Sequence, residues 1–212
     1  FIEGLYEDQK QGEKVKVTCT KSNEGFATAG GVQYVACAGN FKDAGLEYTG
    51  ALKVLQMIFS YEYLWIQIRV KGGAYGCMCS FSDQGDSMFV TYRDPNLSES
   101  YKVYDEAADY VVDFDADDRD MKKYIIGTIG SMDMPMEAVD MGARSFHAYF
   151  LDKTEADLQK VRDQVLSCTQ EDIRALAPIV KAVVEAGNRC CIGNEEKIDQ
   201  NKEYFDEVKH VL

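Results

Sequence analysis

An arginine and a tyrosine six residues apart, in Arg69-Val-Lys-Gly-Gly-Ala-Tyr75-Gly76, are the residues of this chain whose types and spacing best suit chemistry. Two consecutive glycines, Gly72 and Gly73, end a helical pattern and reverse the chain into a strand, which brings a guanidinium and a phenol to the same end of a sheet. Arginine offers a rigid fork of donors and tyrosine a single directional one. Together they suit a peptide carbonyl or an oxyanion. The same residues also fit a plain structural arrangement, with Arg69 paired to one of the many carboxylates and Tyr75 packed on the sheet. Spacing alone leaves both open.

Other catalytic patterns fail on inspection. The two histidines, His147 and His210, begin neither H-E-x-x-H nor H-x-x-E-H, and no G-x-S-x-G is present. The run Asp113, Asp115, Asp117, Asp118 and Asp120 starts like a calcium loop but places Asp118 where glycine is required and Tyr124 where glutamate is required, so it reads as a solvated helix start. Gly72, Gly73 and Gly76 match no phosphate-binding loop. The seven cysteines, Cys19, Cys37, Cys77, Cys79, Cys168, Cys190 and Cys191, are odd in number and form no C-x-x-C pair. They read as reduced structural thiols, which favours a reducing compartment.

The 212 residues carry 23 Lys+Arg against 36 Asp+Glu, a net charge of −13 that disfavours nucleic acid and anionic membranes as partners. No apolar stretch approaches the ~20 residues of a membrane span. With 46% hydrophobic and 28% charged residues the chain is of ordinary globular composition. It opens at Phe1 without an initiator Met and is read as a piece of something larger.

Elements that would position Arg69 and Tyr75 follow from periodicity. Glu13 to Thr20 alternates like a half-buried strand, a glycine-rich turn (Gly25, Gly30, Gly31) follows, and Val32 to Cys37 is a second strand. From Tyr48 the apolar residues fall at three- and four-residue steps, predicting a long helix that ends at Gly72-Gly73. Ala74 to Phe81 and Met88 to Arg93 read as an antiparallel hairpin, closed by Asp94-Pro95-Asn96 with Asn96 as a helix N-cap. Helices are expected over Leu97 to Val112, Asp117 to Ser131, Met136 to Leu151, Thr154 to Cys168 and Thr169 to about Ala186, the last two opened by capping boxes. A short strand, Arg189 to Gly193, precedes a final polar helix from Glu195. These elements predict a single α+β domain over residues 1–212, a largely antiparallel mixed sheet covered on one face by helices.

Several blocks in order resemble the last domain of the presequence proteases, within the pitrilysin and insulin-degrading clan of zinc metallopeptidases: Gly25 to Val35, Tyr48 to Leu55, Tyr63-Leu-Trp65, Arg69 to Gly76, Tyr92 to Leu97 and Lys123 to Thr128. The resemblance implies a non-catalytic C-terminal domain, one of four similar α+β domains that close as two halves around an unfolded peptide. It implies that zinc and its H-x-x-E-H ligands belong to the N-terminal half of the parent chain, so that no zinc, other cofactor or metal ligand resides here and the fragment alone is inactive. It assigns Arg69 and Tyr75 to the substrate backbone near the scissile bond. Unstructured peptides, basic ones among them, and the N-terminal half of the same chain are the implied partners. The implied location is cytoplasmic in a bacterium and the mitochondrial matrix or a plastid in a eukaryote. Cys77 and Cys79 depart from the small residues expected after Tyr75 and suggest sensitivity to oxidation. A catalytically inert structural or binding subunit of the same fold is the alternative, and a free-standing peptide-binding module a third.

Overall fold

The computed structural model describes residues 21–211. The strand expected over Glu13 to Thr20 lies outside them. Six strands form one sheet in the order β3-β4-β2-β5-β1-β6: β1 Glu24–Thr28, β2 Tyr34–Asn40, β3 Gly76–Phe81, β4 Asp86–Tyr92, β5 Asn188–Asn194 and β6 Glu207–His210. The pairings among β3, β4, β2 and β5 are antiparallel, and β1 runs parallel to both β5 and β6. This is the mixed, largely antiparallel sheet that the sequence predicts.

Alternation of side chains assigns the two faces. Val35, Cys37, Cys79, Phe81, Phe89 and Cys191 point into the core, where they meet Leu52, Leu55, Ile58, Phe59, Tyr101 and Tyr104 from the covering helices. Tyr34, Met78, Met88, Tyr92 and Ile192 point the other way and are exposed, so helices cover one face only. The helices are α1 Ala51–Ile58, α2 Ser98–Asp105, α3 Ala107–Val112, α4 Asp118–Met132, α5 Ala138–Phe150, α6 Glu155–Leu166, α7 Gln170–Arg174, α8 Ala177–Glu185 and α9 Glu195–Gln200. Both expected capping boxes are present, Thr154 with Asp157 and Thr169 with Asp172, and Asp117 caps α4.

Five readings are corrected. The stretch taken as a glycine-rich turn contains β1, and the polar tail contains β6 after a short α9. The helix expected over Leu97 to Val112 breaks at Glu106, and the one expected from Thr169 to about Ala186 breaks between Arg174 and Ala177. The long helix toward Gly72 is α-helical only over α1; it continues as π-helical turns over Phe59–Tyr63 and Trp65–Lys71. Among the described residues, no helix is long and apolar enough to cross a membrane.

Candidate functional site

The reversal between the π-helical segment and β3 is built from its glycines. Gly73 has φ +82°, a backbone conformation that glycine adopts without strain, and a Cβ on Gly72 would stand 2.5 Å from the Ile68 carbonyl oxygen. Three backbone bonds close the turn: Gly72 N–H donates to Gln67 O at 3.1 Å, Gly73 N–H to Arg69 O at 3.0 Å and Ala74 N–H to Ile68 O at 3.1 Å. Buried Ile68 and Ala74 tie both arms of the turn to the core. Tyr75 then enters the sheet, its N–H donating to Arg93 O at 3.2 Å.

Arg69 and Tyr75 therefore emerge at one end of the sheet, as their spacing predicts. Tyr75 is 66% exposed, so it does not pack away on the sheet. Among the described residues, Arg69 forms no ion pair, and neither side chain donates or accepts a hydrogen bond. Of the plain structural arrangement that spacing left open, the ion pair of Arg69 is absent among the described residues, while Tyr75 keeps a ring contact with the sheet. Instead the Arg69 guanidinium stacks 4.0 Å from the ring centre of Trp65, four residues earlier on the same helical face. Tyr75 meets the edge of Tyr92 at 5.7 Å and 65°, and Tyr92 in turn meets Tyr34 at 5.4 Å and 74°. Arg93, at φ +50°, places its guanidinium 5.7 Å from the Tyr92 ring centre. With Lys71 alongside, the corner is locally cationic on a chain of net charge −13.

Beneath the corner lies a polar knot that the sequence did not reveal. Asp94 is fully buried; it accepts from Ser100 Oγ at 2.6 Å and from Asn96 N–H at 2.9 Å. Burial pushes its carboxyl above the usual range, and these bonds pull part of the way back. Asn96 was expected to cap a helix, but α2 starts after Leu97 without a side-chain cap, and the Asn96 amide donates to Gly72 O at 2.6 Å instead. Burial pushes the Cys77 thiol up to about 11 despite the opposing charge of nearby Arg69, and Cys79, more deeply buried, goes higher still. Thiolate, the form that oxidises readily, is thus suppressed at both.

The corner offers hydrogen-bond donors and aromatic surface. Among the described residues no group of three or more His, Cys, Asp or Glu is arranged as a metal-ligand set. Trp65 had a legible signal, an aromatic residue four positions before an arginine on one helix. Asn96 had none, because its partner lies 24 residues away.

Known proteins are similar to this chain in sequence and in fold. This chain is 43% identical to protein HypA of Clostridium perfringens over 91% of its length and 20% of that protein's. It is 33% identical to presequence protease 1, chloroplastic/mitochondrial, of Arabidopsis thaliana over 90% of its length and 18% of that protein's. The chain thus spans about a fifth of these relatives. A peptidase M16 inactive domain from Pseudomonas fluorescens shares the fold at a TM-score of 0.58 and 14% identity, over 84% of this chain and 45% of that one. Residues 23–194 match the family model of the PreP C-terminal domain, and the chain belongs to that family.

Proposed function

We propose that this chain is the substrate-contacting C-terminal domain of a zinc-dependent metalloendopeptidase that degrades short unstructured peptides. The observation that carries the reading is the pair of unspent donors, Arg69 and Tyr75, held at one sheet end by a closed turn and, among the described residues, given no hydrogen-bond or ion-pair partner. In the parent enzyme zinc would supply the activated water, bound by residues upstream of this chain. The residues present here do the rest of the work assigned to this half. The Arg69 guanidinium donates to a substrate carbonyl, and the Tyr75 hydroxyl donates to the same oxygen or its neighbour, holding the backbone where negative charge develops. Donors fixed in advance stabilise such charge at no cost of reorganisation.

Because the two donors and the metal would lie on different parts of the parent, the site would be complete only when those parts close on the peptide. The surplus of carboxylates elsewhere on the chain favours approach of basic peptides, while the cationic corner favours the carbonyl oxygens of a bound one. The organelle-targeted names among the relatives fit a mitochondrial or plastid location for a eukaryotic parent and the cytoplasm for a bacterial one.

In the full-length parent, Tyr75→Phe should lower kcat by about 10²- to 10³-fold, the usual cost of one such donor, with zinc content and fold retained. An unchanged kcat/KM would overturn the reading. An inert subunit of the same fold would have no use for either donor, and its activity with an active partner would be indifferent to both Arg69→Ala and Tyr75→Phe.

A further inference from the structure

Tyr75 is exposed and Arg69 half-buried, and a side chain that reaches solvent ordinarily samples several rotamers. Useful donors must be held, since misplacement by about 1 Å costs on the order of 10²-fold in rate. Each of the two has one contact that fixes its direction, and the turn between them has one lock. The Arg69 guanidinium carbon sits over the Trp65 ring, 4.0 Å from its centre, a cation–π contact that restrains the fork. Tyr92 stands edge-on to Tyr75 and is itself held by Tyr34 on its far side, so three rings form a row across neighbouring strands. Gly76 pairs with Tyr92 in the β3–β4 register, which sets Tyr92 beside Tyr75. Asn96 is anchored by buried Asp94 and grips the Gly72 carbonyl, midway between the two donors.

We propose that Trp65, Tyr92 and Asn96 are positioning residues of the peptidase site: Trp65 aims the Arg69 fork, Tyr92 aims the Tyr75 hydroxyl, and Asn96 fixes the turn that sets the distance between them. The inference rests on the functional reading of Arg69 and Tyr75 and adds to it. None of the three touches substrate. Their rings and amide are already engaged with Arg69, Tyr75 and Gly72, so their influence passes through those residues.

Double-mutant cycles in the full-length peptidase test this, with kcat and KM determined separately on one short peptide and with zinc content and Tm recorded for every variant. Tyr92→Ala should lower kcat by about 10- to 100-fold with KM changed less than about threefold, and Tyr92→Phe, which keeps the ring edge, should restore activity to within about threefold of wild type. Trp65→Ala and Trp65→Phe should behave as a matching pair. Asn96→Ala should lower kcat similarly, because the turn is released. In a Tyr75→Phe background the effect of Tyr92→Ala should fall below about twofold, and in an Arg69→Met background so should that of Trp65→Ala, because a positioning residue has nothing left to position.

Full additivity in both cycles, or a Tyr92→Ala and a Trp65→Ala enzyme as active as wild type, overturns the inference while leaving the functional reading intact. Arg69 and Tyr75 single variants that leave kcat/KM unchanged overturn the reading and the inference together. Should an alanine variant fail to fold, the phenylalanine variants decide: a loss of more than about tenfold in Tyr92→Phe shows that the Tyr92 hydroxyl, not its ring, matters and is equally fatal.

Discussion

The corner of Arg69 and Tyr75 and the helix α5 both present aromatic rings to solvent, and they are built in opposite ways. At the corner the exposed residues alternate with buried ones: Ile68 and Ala74 go into the core while Tyr75 comes out, and the turn between is closed by backbone bonds and the Asn96 amide. Helix α5 buries no residue at all. Val139, Phe146 and Phe150 share its apolar stripe and are 79%, 62% and 66% exposed, while Arg144 on the other side lines a cavity of about 440 Å³ with Lys53 and Lys153. The difference teaches that exposure of an aromatic ring does not by itself mark a working site. What marks the corner is exposure on a fastened backbone.

That contrast can be broken most sharply by deleting buried carbon under the corner. Ile68 is 2% exposed, and Ile68→Ala should destabilise the chain by about 2–4 kcal/mol through lost burial and the cavity left behind. Urea denaturation measures it. A loss below about 1 kcal/mol would mean that the corner is no better anchored than α5.

The ends of α5 are the next place to press. On its C-terminal side the Thr154–Asp157 capping box starts α6, with Thr154 N–H donating to Asp157 at 2.9 Å and Asp157 N–H to Thr154 Oγ at 3.2 Å. Thr154→Ala should cost about 1 kcal/mol in the same titration. The smaller size of this effect sharpens the comparison: α5 is held through the caps of its neighbours, the corner through its own core residues.

Acid should act on the two regions with opposite sign. Arg162 grips Asp133 with two bonds of 2.6 and 2.7 Å, joining α6 to the segment just before α5, and these bonds hold the Asp133 carboxyl below its usual range. That stabilisation is present above the ordinary carboxylate pKa and is lost as pH falls through the lowered one. Asp94, under the corner, is shifted upward by burial. The native state there binds its proton more tightly than the unfolded chain, so stability declines as pH rises from the ordinary carboxylate pKa through the raised one. In stability measured against pH, Asp133→Asn should flatten the acid limb, whereas Asp94→Asn should remove the decline on the alkaline side of the carboxylate range. The same slope change in both variants would contradict these assignments.

Much of this was legible in the sequence where the determinants are local. The capping boxes, the helix stop at Gly72-Gly73, the hairpin and the convergence of Arg69 and Tyr75 all rest on residues within a few positions of one another. Strand β1 was hidden because its partners, β5 and β6, lie more than 160 residues away, and its sequence, Glu-Gly-Phe-Ala-Thr, carries the glycine of a turn. Strand β6 was hidden because it is a polar edge, Glu-Val-Lys-His, with no apolar alternation to betray it. Asn96 was misread for a related reason: an asparagine before a helix is usually a cap, and only the fold brings the Gly72 carbonyl close enough to claim its amide instead.

The smallest effect belongs to the most conspicuous side chain of α5. Phe146 makes an edge-to-face pair with Phe150 at 4.6 Å, one helical turn on, and is otherwise 62% exposed. Replacing it with serine removes apolar surface that is mostly in water already, so little transfer free energy is lost, and the ring pair is a local contact that the unfolded helix can also make in part. Phe146→Ser should therefore change the stability of this chain by no more than about 0.5 kcal/mol, the range of ordinary surface substitutions. A loss above about 2 kcal/mol in the same urea titration would show that α5 turns its aromatic stripe inward, and the contrast with the corner would collapse.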